Sequence, residues 1–388
     1  METLWSRYGA SERQEVELVG YNRSVFDPSA FERPIECPMP DEPFVRTWEG
    51  YVAEAERVGV EACLRTRLVQ LRFPIAVGMS AQAAYVAAVR RGAGLDDRTA
   101  DGVEFVDPHA LRLFIHPTAA GRVPVIVAGA REDFVSLVLA LTRRNELEPV
   151  PDSMGACIVA GYNNWDRVFE LRRRWEASSP HDRSEATWSA AFAEIVPRKE
   201  RYQDRFIILS SGAYSGVGAA EMGLPEEAWR RMSLAIRLEH ECAHYFTRQA
   251  LGAMRNSILD ELIADFAGIV AAAGRYRADW FLRFLGLESH ACCRPDGRIH
   301  NYRGDPPLSD GAFAVLQAVV RRAAEQLAEF HAATPPASSP VTEVARMIVT
   351  LAYVGLEGVA SDDAQARLAQ ARTLASRVVR QWTPVFAD

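Results

Sequence analysis

The sequence predicts an α+β protein, a mixed half followed by an almost wholly helical half. Short β-rich runs bounded by turn residues fall before residue 210. From residue 226 onward, apolar residues recur at helical spacing in one segment after another. The halves meet at a predicted helix over 226–251 that carries His240-Glu241-Cys242-Ala243-His244.

The elements are read in chain order. Residues 1–43, with Pro34, Pro38, Pro40 and Pro43, read as an extended N-terminal arm over the body. Tyr51, Val52, Ala55, Val58, Ala62, Leu64 and Leu68 repeat at helical intervals and predict one long helix over 49–71. Ser80 is a candidate cap for a helix reaching residue 91. Runs at 111–116 and 123–127 predict a hairpin of strands around Thr118-Ala-Ala-Gly-Arg122. Residues 132–144 are apolar nearly all round, the pattern of a buried helix. A strand at 156–160, a helix with a basic face at 165–175 and a strand at 206–209 follow, the last leading into a Ser/Gly-rich loop. Helices are then expected over 226–251, 259–274, 278–285, 310–333, 342–356 and 362–381, with Thr334-Pro-Pro-Ala-Ser-Ser-Pro340 as the clearest linker. The expected division is an arm (1–43), an α/β subdomain ending in the motif helix (44–252) and a helical subdomain (253–388).

Composition narrows the function classes. The 388 residues, 48% hydrophobic and 24% charged, are ample for a substantial core. The net charge is −7 and no basic stripe interleaved with aromatics occurs, which argues against a nucleic-acid partner. Arg172-Arg173-Arg174 reads as a solvated helix face. Residues 1–20 lack the apolar core of a secretory signal, and no apolar run approaches the ~18 residues of a membrane span. Cysteines at 37, 63, 157, 242, 292 and 293 include no CxxC pair, which fits a reducing, cytoplasmic compartment. Cys292 and Cys293 read as packed or exposed thiols, and Cys157, among Ala156, Ile158 and Val159, as a core residue rather than a nucleophile served by His109 or His116. Gly216-Val-Gly218 lacks the third glycine of a dinucleotide fingerprint.

His240 and His244, at i and i+4 on a helix, project from one face and can reach a common metal ion. Glu241 lies about 100° round the helix, able to lean over the open coordination position as a general base. With eight histidines in the chain, a match of this kind arises by chance on the order of once per hundred such sequences. The bland alternative, two histidines facing solvent, sits poorly with apolar neighbours Leu234, Ile236, Leu238 and Phe246. A catalytic zinc needs a third protein ligand. On the next predicted helix, capped by Ser257, Glu261 could supply it and Asp265, one turn on, could orient a ligand histidine. Alternatively these acids, with Asp260, decorate a first helical turn where negative charge is favourable.

H-E-C-A-H followed by E-L-I-A-D resembles the zincin metallopeptidases, in particular the gluzincin branch with H-E-x-x-H and then E-x-x-x-D. The resemblance covers roughly residues 200–270. It implies a zincin-like mixed sheet, His240, His244 and Glu261 as zinc ligands, Glu241 as general base, and Asp265 behind the ligands. It also implies that the strand at 206–210 forms the edge of the cleft. The spacing between motif helices is a few residues shorter than in thermolysin-like enzymes, and no propeptide segment is visible. Such enzymes steady the oxyanion with a residue outside the motif. Tyr214, His300, Tyr302 and Arg303 are the candidates, whereas Tyr245 reads as a packing residue. The expected activity is zinc-dependent hydrolysis of an amide bond in a short peptide or amide-containing small molecule. The cleft would be covered by the arm, the 210–218 loop or the 292–304 segment. Two alternatives stand beside it: a non-peptidase enzyme of specialised metabolism, and a non-catalytic protein with a structural zinc. Substrate identity and oligomeric state are not legible in the sequence.

Overall fold

The structure, a computed structural model, describes residues 3–23, 26, 28–93, 102–178, 183–253, 257–289, 293–334 and 339–381. It is an α+β fold, mostly helical with a small mixed sheet. The chain divides into two compact units. One comprises Met1–Pro40, Thr118–Gly121 and Ala213–Asp388, the other Asp41–Pro117 and Arg122–Gly212.

The second unit is organised by a four-stranded sheet in the order Arg112–Thr118, Gly121–Ala128, Gln203–Ser210, Ala156–Asn163. Phe206, Ile207, Ile208 and Leu209 are all fully buried, as expected for a strand covered on both faces. That strand runs parallel to one neighbour (Val125 opposite Ile207) and antiparallel to the other (Ile158 opposite Ile207). With its hydrogen-bonding groups engaged on both sides it offers no free edge, so the cleft-edge role expected for 206–210 does not hold.

Two helical expectations also change in this unit. The single helix over 49–71 is two, Val45–Val58 and Val60–Arg67, broken at Gly59, whose φ of +89° only glycine adopts without strain. In place of a helix capped by Ser80 there is a 3₁₀ turn Met79–Ala81, a short turn Ala83–Tyr85 and a π-helix Val86–Arg90. The Ser80 N–H donates to Glu146 instead, 2.8 Å away. A helix Glu185–Ile195, capped by the Ser184 hydroxyl, was not anticipated.

The described residues of the expected arm, most of them in the first unit, are not extended throughout. Ser11 and Gln14 form a capping box that starts the helix Glu12–Tyr21, and Trp5 and Leu18 are buried. Among the described residues of this segment, Ile35–Cys37 is the one strand, paired in parallel with Val379–Gln381, which ends the last helix three residues early. The remaining helices, Glu226–Ala250, Ile258–Ala273, Ala278–Leu285, Asp310–Ala333, Pro340–Ala360 and Ala364–Val378, lie close to their predicted positions. The linker prolines and serines at 335–338, and Cys292, lie outside the described residues. The motif helix, placed by its sequence at the end of an α/β subdomain, belongs to the same unit as the helices that follow it. No helix of the described residues is long and apolar enough to cross a membrane.

The motif helix carries a buried stripe at Trp229, Ser233, Ile236, His240, Ala243, His244 and Thr247, the spacing of one helical face. The helix Ile258–Ala273 is buried on all sides through Ile269. The two approach so closely at Gly268 that a Cβ there would stand 2.5 Å from the Ile236 carbonyl oxygen. A backbone oxygen cannot swing aside, so only glycine permits this crossing. Gly268→Ala is therefore expected to destabilise the fold by about 1–3 kcal/mol, as overpacking does. It should also weaken metal retention, because Ile236 and Gly268 lie one turn from His240 and Asp265. Urea denaturation with metal analysis of the purified variant checks both, and unchanged stability would contradict the close crossing.

Candidate metal centre

Helical geometry sends His240 and His244 inward together. They are 7% and 9% exposed, and they meet Glu261 (5%) and Asp265 (0%) from the neighbouring helix. Ser257 caps that helix as its sequence predicts, its hydroxyl accepting from the Asp260 N–H at 3.4 Å. This sets the register that aims Glu261, rather than Asp260, at the histidines.

The Nε2 atoms of His240 and His244 are 3.1 Å apart. Glu261 Oε2 lies 3.7 Å from the first and Oε1 3.6 Å from the second. One ligand atom from each of the three residues falls within 4.8 Å of the others, a group that could hold a metal ion. Behind it, His240 Nδ1 donates to Asp265 Oδ1 at 2.8 Å. That bond fixes the tautomer in which Nε2 presents its lone pair to the shared point.

Asp265 is met from two further directions. The Tyr214 hydroxyl donates to its Oδ1 at 2.5 Å, and Arg298 pairs with its Oδ2. Arg298 Nη1 also donates to the Tyr214 hydroxyl (3.0 Å) and to Ser215 Oγ (3.1 Å), and Nη2 stands 3.8 Å from Glu261 Oε2. Tyr214 is held in turn by its own N–H, which donates to Ser233 Oγ at 3.1 Å, and by Phe284 packed edge-on at 4.9 Å. The next residue, Ser215, sits in the left-handed region at φ 52°, a conformation of order 1–2 kcal/mol above the usual helical one.

The sequence candidates thus separate. Tyr214 reaches the site, but its hydroxyl faces Asp265 and His240 behind the ligands. Tyr302, from the 3₁₀ turn Arg298–Tyr302, is buried beside Glu261, whose charge acts on its hydroxyl. The ring of His300 is engaged elsewhere, with the Arg294 carbonyl (3.1 Å), the Cys293 sulfur (3.5 Å) and the face of Phe313. Arg303 pairs with Asp310 at 2.7 Å. Glu241 is half-exposed and makes no hydrogen bond or ion pair among the described residues. Tyr245 is buried in the helix packing. Two contributors escaped the sequence reading. Arg298 sits in an irregular segment where one arginine among 44 basic residues carries no periodic signal. Tyr21 comes from the N-terminal helix; its hydroxyl donates to the Tyr302 carbonyl (2.8 Å) and accepts from the Ile258 N–H (3.3 Å).

Burial works against the charge on His244, yet the Glu261 hydrogen bond and the charges of Glu261, Glu241 and Asp260 outweigh it and push its pKa up to about 9. Burial likewise opposes ionisation of Glu261, but the His244 hydrogen bond and the charges of His240 and Arg298 hold it well below the usual carboxylate range. Asp265 is also held low: burial raises it, and the Arg298 charge and the His240 hydrogen bond more than compensate. Burial raises Tyr302, with the Glu261 charge adding to the effect and Arg298 opposing it.

A pH dependence follows for the metal-free protein. The raised His244 value stabilises the fold fully below its ordinary pKa of 6.5, and this contribution is lost as pH climbs through about 9. The lowered Glu261 value stabilises above the ordinary carboxylate range and is lost on acidification. Melting temperatures of metal-free protein should therefore fall between pH 7 and 10, and His244→Ala should flatten that decline. A metal requires the neutral imidazole, so binding at pH 7 should expel about one proton per site. Calorimetry in buffers of different ionisation enthalpy reads that number directly, and a value near zero would contradict the pairing.

Comparison with curated proteins and with solved structures returns no match. A family model matches residues 3–363, a span that includes every residue of the metal centre. The chain belongs to the family of unknown function DUF7005.

Proposed function

We propose that this protein is a zinc-dependent hydrolase that cleaves an amide bond in a short peptide or peptide-like small molecule, with a zincin-like arrangement of its site. The observation that carries the reading is the convergence of two imidazole nitrogens and a carboxylate on one buried point, with an unpaired glutamate on the same helix. Donors bonded to a tetrahedral ion at ~2.0–2.1 Å stand roughly 3.3 Å apart. Here the two nitrogens stand 3.1 Å apart, and the Glu261 carboxylate presents Oε2 at 3.7 Å from His240 and Oε1 at 3.6 Å from His244. Two nitrogens and one oxygen suit zinc better than magnesium or calcium, which prefer all-oxygen shells.

His240, His244 and Glu261 would hold the zinc, which would supply Lewis acidity toward water and a carbonyl. Glu241, free of partners, takes a proton from the attacking water on its carboxylate and returns it to the leaving nitrogen. Asp265 holds the His240 ring in place, and Tyr214 and Arg298 hold Asp265. Of the four oxyanion candidates, the Tyr214 hydroxyl is turned to Asp265 and His240 Nδ1 behind the ligands, and His300 and Arg303 are engaged elsewhere. Tyr302, beside Glu261, takes that role. Unbridged thiols at Cys37, Cys63, Cys242 and Cys293 fit action in the cytoplasm.

One observation favours a second reading. All three ligands are nearly buried, as in a structural zinc clamp between two helices. Glu241 decides between them, because a clamp does not use it. Purified protein should hold about one zinc, and His240→Ala, His244→Ala or Glu261→Ala should lose most of it. Asp265→Asn should weaken affinity by roughly 10–100-fold. Glu241→Gln should keep the metal while abolishing turnover of a short-peptide library, and Tyr302→Phe should lower turnover at full occupancy. Zinc loading with equal turnover in wild type and Glu241→Gln would leave only the clamp.

A further inference from the structure

The second unit contains a cavity of about 740 Å³, lined by residues of the helices Val45–Val58 and Trp165–Ser178 and of the 3₁₀ turn Lys199–Arg201. In a chain of net charge −7, seven arginines and four acids line it. The basic face of the 165–175 helix, which read as solvated in the sequence, is thus one wall of a concavity.

Much of this positive charge is neutralised locally. Arg167 is buried against Asp204 at 2.5 Å, and Arg67 pairs with Glu54 at 2.6 Å and Asp166 at 3.1 Å. Arg173 and Arg174 share Glu170, at 2.7 and 2.8 Å. Arg46, Arg57 and Arg201 remain, with no side-chain hydrogen bond or ion pair among the described residues.

Two further features bear on what fits. Gly50 lies inside a helix, where glycine costs about 1 kcal/mol relative to alanine. A Cβ there would meet nothing within 4 Å, so packing does not demand the glycine, and its effect is to leave the cavity wide. Phe169, 38% exposed, offers a ring on the opposite wall. Guanidinium forks match phosphate oxygens in geometry and charge. Arg46 lies eleven residues from Arg57 on the same helix, roughly 16 Å away, and its charge acts on Glu170. Arg57 and Arg201 are left to take a multiply charged anion while the ring covers an uncharged portion.

We propose that this cavity binds a small phosphorylated metabolite, its phosphate groups on Arg57 and Arg201 and its remainder against Phe169. The proposal is independent of the metal centre. Calorimetric titration of the full-length protein with pyrophosphate, ADP and citrate tests it. Both phosphorylated probes should bind, ADP the more tightly, and citrate at least tenfold more weakly than pyrophosphate. Affinity should fall as salt rises. Arg57→Ala and Arg201→Ala should each weaken pyrophosphate binding roughly tenfold, the size of one lost hydrogen bond to a charged group. Both side chains are exposed, so melting temperatures should not move. Gly50→Leu should exclude ADP, and His240→Ala should bind ADP as the wild type does. The proposal is overturned if neither phosphorylated probe binds, if citrate binds as tightly, if the arginine variants bind undiminished, or if His240→Ala loses the ligand.

Discussion

The carboxylate of Asp265 is the point on which the metal centre depends. It is fully buried, and it receives His240 from the motif helix, Tyr214 from the preceding loop and Arg298 from a distant 3₁₀ turn. A buried charge is tolerated only when paired and hydrogen-bonded, so those three elements must be in place together. The charge balance of the whole cluster follows from the same requirement. Glu261 and Asp265 bring two negative charges and Arg298 one positive, leaving one uncompensated. In the metal-free protein a proton on His244 supplies the missing positive charge, which is why its pKa stands near 9 against the effect of burial. A divalent cation would supply that charge and one more without the proton. Proton and metal therefore compete for the same site.

On the proposed reading, the motif helix separates two tasks, metal ligation and proton transfer, by angle. Residues 240 and 244 fall on the buried stripe, where their nitrogens are fixed by packing and by Asp265. Residue 241 is turned about 100° away and is half-exposed, which leaves a carboxylate free to exchange protons with water. A ligand gains from immobility and a base from access, and consecutive positions on one helix provide both.

Much of this was legible in the sequence where structure is local. The i, i+4 histidines, the Ser257 cap that sets the register of Glu261, and nearly every helix after residue 226 follow from periodicity and capping. What was not legible depends on pairing across long sequence distances. The strand at Gln203–Ser210 reads the same whether it lies at an edge or in the interior, and only its two neighbours place it inside. Tyr21 and Arg298 join the site through contacts that span hundreds and tens of residues, with no periodic pattern to announce them. The N-terminal segment was misread because its prolines outweighed the capping box at Ser11 and the buried Trp5 and Leu18.

Arginine shows the difference between a structural and an available charge. Arg167 is buried and Arg298 nearly so, and each is bound to a buried carboxylate, Asp204 and Asp265. Removing either partner would strand a charge away from water, so neither can turn to a ligand without loss of the fold. Arg57 and Arg201 are hydrated and unpaired; binding an anion costs them only water and side-chain freedom. Counting basic residues in the sequence cannot separate the two kinds, and a net charge of −7 conceals both. The distinction lies in burial and pairing: the buried arginines hold a fold or a ligand set in place, and the unpaired ones on a concave wall are free to recognise something else.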